Sequence, residues 1–394
     1  MSGKGATNED FREFCADVFG TLGRTDQRQA AETYLYGLLN CTGRKSIRRL
    51  VAAAPGRSEQ SLQQFINQSP WDPEPIRERL MYRLAKAVRP TAWVIEEVHF
   101  PKHGQYSAAV ERQYVQSLGR VRNCQLAITV TLTAGRITVP VNWRLIVPDS
   151  WGRDHERRTR ARMPSHELPR PYWQYHLEVL DDMALEWGMP VAPVVVDTSN
   201  RGNVEAFLGA LELRRQPYLA QVASTFLVAY DQPARANHPS WGASPANGSA
   251  PTWQGTAGDL IARTGHVTRD TVEWRNSEID SVMRSQFLQV PVRSSVPGRG
   301  AGASSTPTGA RTLIAEWPLG KPGPRNYWIT NMTDPPLPEL VELAKLRELA
   351  TPRIEEFAGT YGLRDYEGRT FAGWHHHVTL ATAAYIYCLL DSPG

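Results

Sequence analysis

Residues 91–102 read TAWVIEEVHFPK, and further along residues 193–200 read PVVVDTSN. In each, a short apolar run meets acid: Ala92-Trp93-Val94-Ile95 runs into Glu96-Glu97, and Val194-Val195-Val196 into Asp197. Short β-branched runs of this kind read as buried strands that end at the acids. Carboxylates at strand ends of one sheet can converge on a hard divalent cation, which takes oxygen ligands. Two such ions about 3.5–4 Å apart can activate water against a phosphodiester. Side chains alternate across a strand, so only one of Glu96 and Glu97 can face such a site. Acids that terminate strands are also commonly solvated loop residues, and spacing alone leaves both readings open.

Working outward, Gln125–Leu132 and Ile137–Val147 alternate in the manner of strands. Val191–Val196 is expected to be a strand, Val204–Leu213 the following helix, and Leu219–Ala229 a further strand. Strands alternating with helices predict an α/β fold. Upstream, residues 9–90 carry helical spacing, seen in Phe11, Phe14, Cys15, Val18 and Phe19 and again in Tyr34, Leu35, Leu38 and Leu39. Residues 171–188 also look helical. Residues 231–310 are rich in Pro, Gly and Ser and predict loops, with short strands near 284–293 and 311–316. The tail, 336–390, returns to helix. The expected layout is an N-terminal all-α domain (1–88), an α/β core (89–230), a loop-rich β insertion (231–335) and a C-terminal helical part of the core (336–394).

Composition narrows the classes. The chain has 394 residues, 41% of them hydrophobic, and a formal net charge of +4. No apolar run approaches the ~18 residues of a spanning helix, and MSGKGATNEDFREF lacks the apolar stretch of a signal peptide. A cytoplasmic protein without a membrane partner is expected. Cys15, Cys41, Cys124 and Cys388 show no CxxC spacing, which argues against a zinc knuckle or a thioredoxin-type site.

Longer stretches carry a resemblance. YLYGLLNCTGRKS (34–46), FINQSPWD (65–72), the segment from Trp93 to Gln125, NWRLIVPDSW (142–151), Glu156-Arg157-Arg158, PVVVDTSN (193–200), LAKLR (343–347) and DYEGRTFAGWHHHVTLATAAY (365–385) stand in order along the chain. Together they resemble the DDE transposases of bacterial insertion-sequence family 701. The resemblance implies an RNase H-like core and a triad of two aspartates and a glutamate. That triad would hold Mg²⁺ or Mn²⁺ and cut and join double-stranded DNA. It also implies a homodimer.

Carried over residue by residue, the triad is altered. The first family segment reads Asp-Asp-Thr-Gly-Phe-Pro-Lys where this chain has Glu96 to Lys102, so Glu97 stands at the first aspartate. Its carboxylate is roughly 1.5 Å further out, one carbon–carbon bond. His99 replaces a glycine and is either a new general base or packing. Asp197 stands at the second aspartate. With LAKLR and YEGR in register, Thr351 falls at the glutamate, followed by Pro352. Thr-Pro predicts a fresh helix start, with Thr351 as N-cap. Arg353-Ile354-Glu355 repeats the lost motif four residues later. Glu355 would restore a carboxylate about 6 Å along the axis, at 1.5 Å per residue.

Glu97, Asp197 and Glu355 are therefore the candidate catalytic and metal-holding acids, with His99 beside them. Arg44, Lys45, Lys102, Arg112 and Arg120 are the candidate DNA contacts. Arg48, Arg49, Arg122 and the basic run at 153–170 add to these, although acids among the last can balance it. The reading these residues favour is a domesticated or degenerate transposase-like protein that binds DNA without an intact cleavage triad. Two others stay open: an enzyme acting on a small molecule in the former nuclease cleft, and a non-catalytic DNA-binding regulator. His375-His376-His377 belongs to the resembling block and is expected to pack and cap rather than hold metal.

Overall fold

The hydrophobic period changes near residue 90, and the backbone changes with it. In the computed structural model, residues 8–54, 56–135, 137–200, 202–231, 252–264, 269–276, 281–294 and 309–391 are described. They form a mixed α/β structure of two compact units. The first comprises Met1–Thr91, Ile95–Pro190 and Ala350–Gly394, the second Ala92–Val94 and Val191–Leu349.

The first unit opens with five helices: α1 (Asn8–Val18), α2 (Thr25–Asn40), α3 (Ile47–Ala53), α4 (Glu59–Asn67) and α5 (Glu74–Ala87). Ser58 caps α4, its hydroxyl accepting from Ser61 N at 3.2 Å. The apolar stripes read from sequence are the buried faces: Phe14, Val18, Tyr34, Leu35 and Leu38 are at most 2% exposed. They close on the last helix, α11 (Phe371–Asp391), which packs on α2, α4 and α5. Fifteen of its residues are buried, on every side of the helix, as expected for a helix at the centre of a core.

Against these helices lies an antiparallel meander. Its strands are β1 (Ala92–Pro101, of which Ile95 onward belongs to this unit), β2 (Glu111–Val115), β3 (Arg120–Ala134) and β4 (Ile137–Leu145). The order is β2-β3-β1, with β4 also on β3. The long β3 pairs first with β2 (Glu111↔Cys124 to Val115↔Arg120) and then with β4 (Ala127↔Leu145 to Ala134↔Ile137). Its register slips between Val130 and Thr131, opposite Pro140. A proline cannot donate to the ladder, so a bulge is where one is tolerated. Helices α6 (His155–Arg160) and α7 (Tyr172–Asp181) follow.

In the second unit the start of β1 lies beside β5 (Val194–Asp197), Trp93 N donating to Pro193 O at 2.9 Å. β5 is parallel to β6 (Tyr218–Val222), and α8 (Val204–Leu213) makes the crossover. Three more strands appear in the chain as β7 (Leu227–Asp231), β8 (Thr252–Thr256) and, after α9 (Ala257–Thr264), β9 (Asp270–Asn276). They are followed by β10 (Ser281–Ser294), β11 (Arg311–Pro318) and β12 (Asn326–Thr330). The order from β5 runs β5-β6-β12-β11-β10-β7-β8, with β9 also on β10. Arg311 is buried against α8, donating to Glu205 at 2.8 Å and Glu212 at 2.6 Å.

Four expectations are corrected. β1 does not end at Glu96-Glu97 but runs on to Pro101, which places both acids inside the strand. The run 219–229 is two strands, β6 and β7, parted by a turn in which Phe226 N donates to Ala223 O. Residues 252–264 and 269–276 hold a helix and two strands where loops predominate in the composition-based reading, while the short strand expected near 284–293 is β10; residues 232–251, 265–268, 277–280 and 295–308 of that segment lie outside the described residues. Finally, Thr351 does not start a helix: α10 (Leu337–Tyr361) runs unbroken through Pro352. Proline removes the bond to the Glu348 carbonyl. Yet Ala350, Ile354, Phe357 and Ala358 keep one buried stripe across it, and that packing carries the helix through.

Candidate functional site

Alternation along β1 decides between the two acids. Glu96 is 5% exposed and lies with buried Val98 and Phe100, whereas Glu97 and His99 share the half-buried face. Glu97 accepts a hydrogen bond from Tyr172 Oη of α7 at 2.8 Å. Burial, reinforced by the nearby Glu97 carboxylate, pushes the Cys124 thiol up to about 11. His99 presents its carbonyl to Arg364 Nε at 2.9 Å. The same guanidinium grips Glu355 of α10 through both carboxylate oxygens, at 2.5 and 2.6 Å. Arg364's hydrogen bonds hold the Glu355 carboxyl below its ordinary range despite burial. Burial and Arg364 also lower the His99 imidazole, with Glu355 partly offsetting them. Glu97 and His99 are thus neighbours on one strand face, and Glu355 reaches that strand through Arg364.

In the second unit, Asp197 ends β5 with its side chain 10% exposed. Its Oδ2 pairs with Arg347 Nη1 of α10 at 2.8 Å. Its Oδ1 accepts from Ser199 N at 2.8 Å and Ser199 Oγ at 2.6 Å, an Asx turn closing the strand end. Two residues before Arg347, the buried Lys345 ammonium donates to Glu316 at 3.0 and 2.9 Å and to Glu348 at 3.0 Å. It lies 4.5 Å from the Trp274 ring centre. Both bases of the LAKLR segment therefore engage acids of their own unit. Thr351, at the position the resemblance gives to glutamate, is exposed on α10.

DDE nucleases generally use divalent metal ions. As they stand, the acids here do not fit one: Asp197 is engaged by Arg347 and Ser199, Glu97 by Tyr172, and Glu355 by Arg364. Among the described residues, no group of three or more His, Cys, Asp or Glu side chains is placed to hold an ion.

The histidine triplet of α11 is buried in three directions. His375 Nδ1 accepts from Arg77 Nη2 at 3.1 Å. His376 lies between the carbonyls of Ile66 and Trp71, each 2.8 Å from a ring nitrogen. His377 meets Tyr34 Oη at 2.8 Å and Gly362 O at 2.9 Å. His375 and Arg77 line a cavity of about 250 Å³, together with Trp71, Glu74, Arg144 and Asp182. None of the acids singled out above lines it.

The basic candidates divide sharply. Lys45 is 6% exposed, and its ammonium donates to the Cys41 carbonyl inside the fold. Lys102 donates to Tyr366 O at 2.6 Å, and burial, with Arg44 nearby, pulls it down to about 8. Arg44 is exposed and paired with Glu367 at 3.1 Å. In the 153–170 run, Arg157 and Arg158 donate to backbone carbonyls, while Arg160 and Arg170 pair with Glu156, Glu167 and Glu178. Arg112 and Arg120 stand exposed, as does Arg122.

Three partners of the acids carry no signal that composition or spacing could expose. Arg347 sits in a stretch quoted for its resemblance and Arg364 directly precedes another, but which acid each engages depends on the tertiary fold. Nothing marks Tyr172 in sequence.

Sequence comparison defines the class. The family of DDE superfamily endonucleases matches residues 17–280, and the chain belongs to it. More particularly, the chain is similar to a probable transposase for insertion sequence element IS701 from Microchaete diplosiphon. The two are 29% identical over 119 residues, which cover 29% of this chain and 31% of that protein. The chain is accordingly transposase-like. Among the described residues, no helix is long and apolar enough to cross a membrane.

Proposed function

We propose that this chain is a domesticated, transposase-derived protein that binds double-stranded DNA without metal-dependent cleavage. One observation carries the reading: each of the candidate metal-holding acids, Glu97, Asp197 and Glu355, is engaged by a protein donor instead. Asp197 and Glu355 act as counter-ions for Arg347 and Arg364, and an ion entering there would first have to displace a guanidinium. An RNase H-like core is supported by the strand orders, β4-β3-β1 in the first unit and β1-β5-β6 in the second, with β5 parallel to β6. The fold would serve as a scaffold for DNA, and the acids would stabilise it rather than cut.

The test is a labelled duplex titrated with the full chain, by fluorescence anisotropy, in Mg²⁺ and in EDTA. A nicking assay on supercoiled plasmid runs alongside. Equal affinity in both buffers, with no nicking, is the expected result. Mg²⁺-dependent nicking that Asp197→Asn abolishes would overturn the proposal.

A further inference from the structure

The ribbon β2–β3 carries three exposed arginines, Arg112, Arg120 and Arg122. It is an antiparallel hairpin of five residue pairs closed by a tight turn at Gln116–Leu118 and Gly119, whose φ of +62° suits glycine. Across Glu111–Cys124 it carries Arg112, Arg120 and Arg122 against a single acid, Glu111. The pairing Tyr114↔Val121 sets these two side chains on one face with Arg112. That face is open: Tyr114 is 55% and Val121 52% exposed, and Leu118 at the turn is 38% exposed. The opposite face is anchored by buried Val115 beside the turn and buried Cys124 at the root, and it carries the exposed Arg120 and Arg122 between them. Exposed aromatic and aliphatic side chains clustered with arginines mark a contact surface rather than a solvated edge.

Resting on the DNA-binding reading, we propose that the β2–β3 ribbon is the element that enters a groove of duplex DNA. Charge decides the occupant, because the excess of arginine over acid matches a polyanion. The major groove, about 12 Å wide, admits a two-stranded ribbon. Arg112, Tyr114 and Val121 then face the base edges, where apolar groups meet thymine methyls. Arg120 and Arg122 reach the flanking phosphates, the contacts that fix register and supply affinity.

The experiment compares wild type with the triple variant Arg112→Ala/Arg120→Ala/Arg122→Ala and with Tyr114→Ala/Val121→Ala. Binding of a labelled duplex is followed between about 50 and 200 mM salt, the range over which phosphate contacts dominate. All five positions are exposed, and a melting curve verifies that each variant folds. In the triple variant, affinity should fall at least tenfold and the log–log salt slope should shrink by about 2, since the two phosphate contacts contribute about 0.9 each. The apolar variant should weaken binding with little change of slope. Unchanged affinity and slope in the triple variant, with wild type bound, would overturn the ribbon assignment and leave the DNA reading standing. No binding by wild type at the lowest salt would overturn both. A ribbon variant that keeps DNA binding but loses self-association would assign the surface to a second copy of the chain instead.

Discussion

Acidification should destabilise this protein through the three consecutive histidines of α11, and the size of the effect follows from where they lie. His376 is 1% and His377 0% exposed, and burial pulls each imidazole down to about 4 from an ordinary 6.5. His375 is held well below 6.5 by burial and by the Arg77 guanidinium whose hydrogen bond it accepts. A proton there would place two cations 3.1 Å apart. A neutral His377 ring satisfies both of its contacts, its Nε2 donating to Gly362 O and its Nδ1 lying 2.8 Å from Tyr34 Oη. Because the folded pKa values are depressed, the unfolded chain binds more protons between pH 4 and 6.5. Stability is therefore complete above 6.5 and is lost as pH falls towards 4. At pH 5 a histidine of pKa 6.5 is largely charged and one of pKa 4 is not. Relative to pH 7, that costs about 2 kcal/mol for His377; at His376 the two carbonyls facing the ring nitrogens favour the protonated ring and work against burial, so its share is smaller. His375 adds in the same direction. Against a typical total of about 5–15 kcal/mol, this is a large share. Urea unfolding at pH 7 and pH 5 measures it, and His377→Gln, whose amide can still donate to Gly362 O, should remove about 2 kcal/mol of the pH dependence. Stability equal within about 1 kcal/mol at the two pH values would refute the reasoning, as would a His377→Gln variant with the full wild-type dependence.

Two further outcomes test the packing of the altered acids. In EDTA, Asp197→Asn should destabilise by about 2 kcal/mol, because it removes a mostly buried charge-assisted pair while leaving Ser199 a hydrogen-bond acceptor. Glu355→Gln, whose side chain is 53% exposed, should cost less than about 1 kcal/mol; thermal melts in chelator that show Asp197→Asn as stable as wild type would point to a cluster of repelling carboxylates instead. Gly362→Ala should be strongly destabilising, by more than about 2 kcal/mol, since the residue sits at φ +66° after α10 and a methyl there would run into the Lys45 side chain; denaturant midpoints measure it, and a loss below about 0.5 kcal/mol would contradict the close packing.

What could be read in advance was whatever depends on local period. The helices of residues 8–87 and the strand ending at Asp197 repeat their apolar positions at the spacing their burial needs, and α8 begins and ends where its pattern does. What could not be read depends on neighbours distant in sequence. Pro352 looks like a helix start until Ala350, Ile354 and Phe357 are seen to be buried on both sides of it. The acids in VIEEVHF look terminal until β3 is found alongside, with Lys102 N still donating to Asn123 O beyond them. Lys45 and Lys102 count as surface charge in any sequence tally, yet the fold places each ammonium against a backbone carbonyl.

The same distinction bears on function. Substitutions scattered by drift would be expected in the core as readily as at the acids, yet the described core is filled: Trp143, Trp151 and Trp374 are fully buried. Arg77 still ties α5 to Trp143 O of β4 and to Thr379 of α11, 302 residues away in sequence. Where the resemblance places the triad, Glu97 and Thr351 stand in place of its aspartate and glutamate, and the remaining carboxylates have protein partners. A nuclease site keeps its carboxylates available to the ion. A scaffold gains stability by neutralising them, and neutralised acids repel a phosphate backbone less than open ones do. Retention of a packed fold together with paired acids is what supports the proposal that this chain binds DNA rather than cuts it.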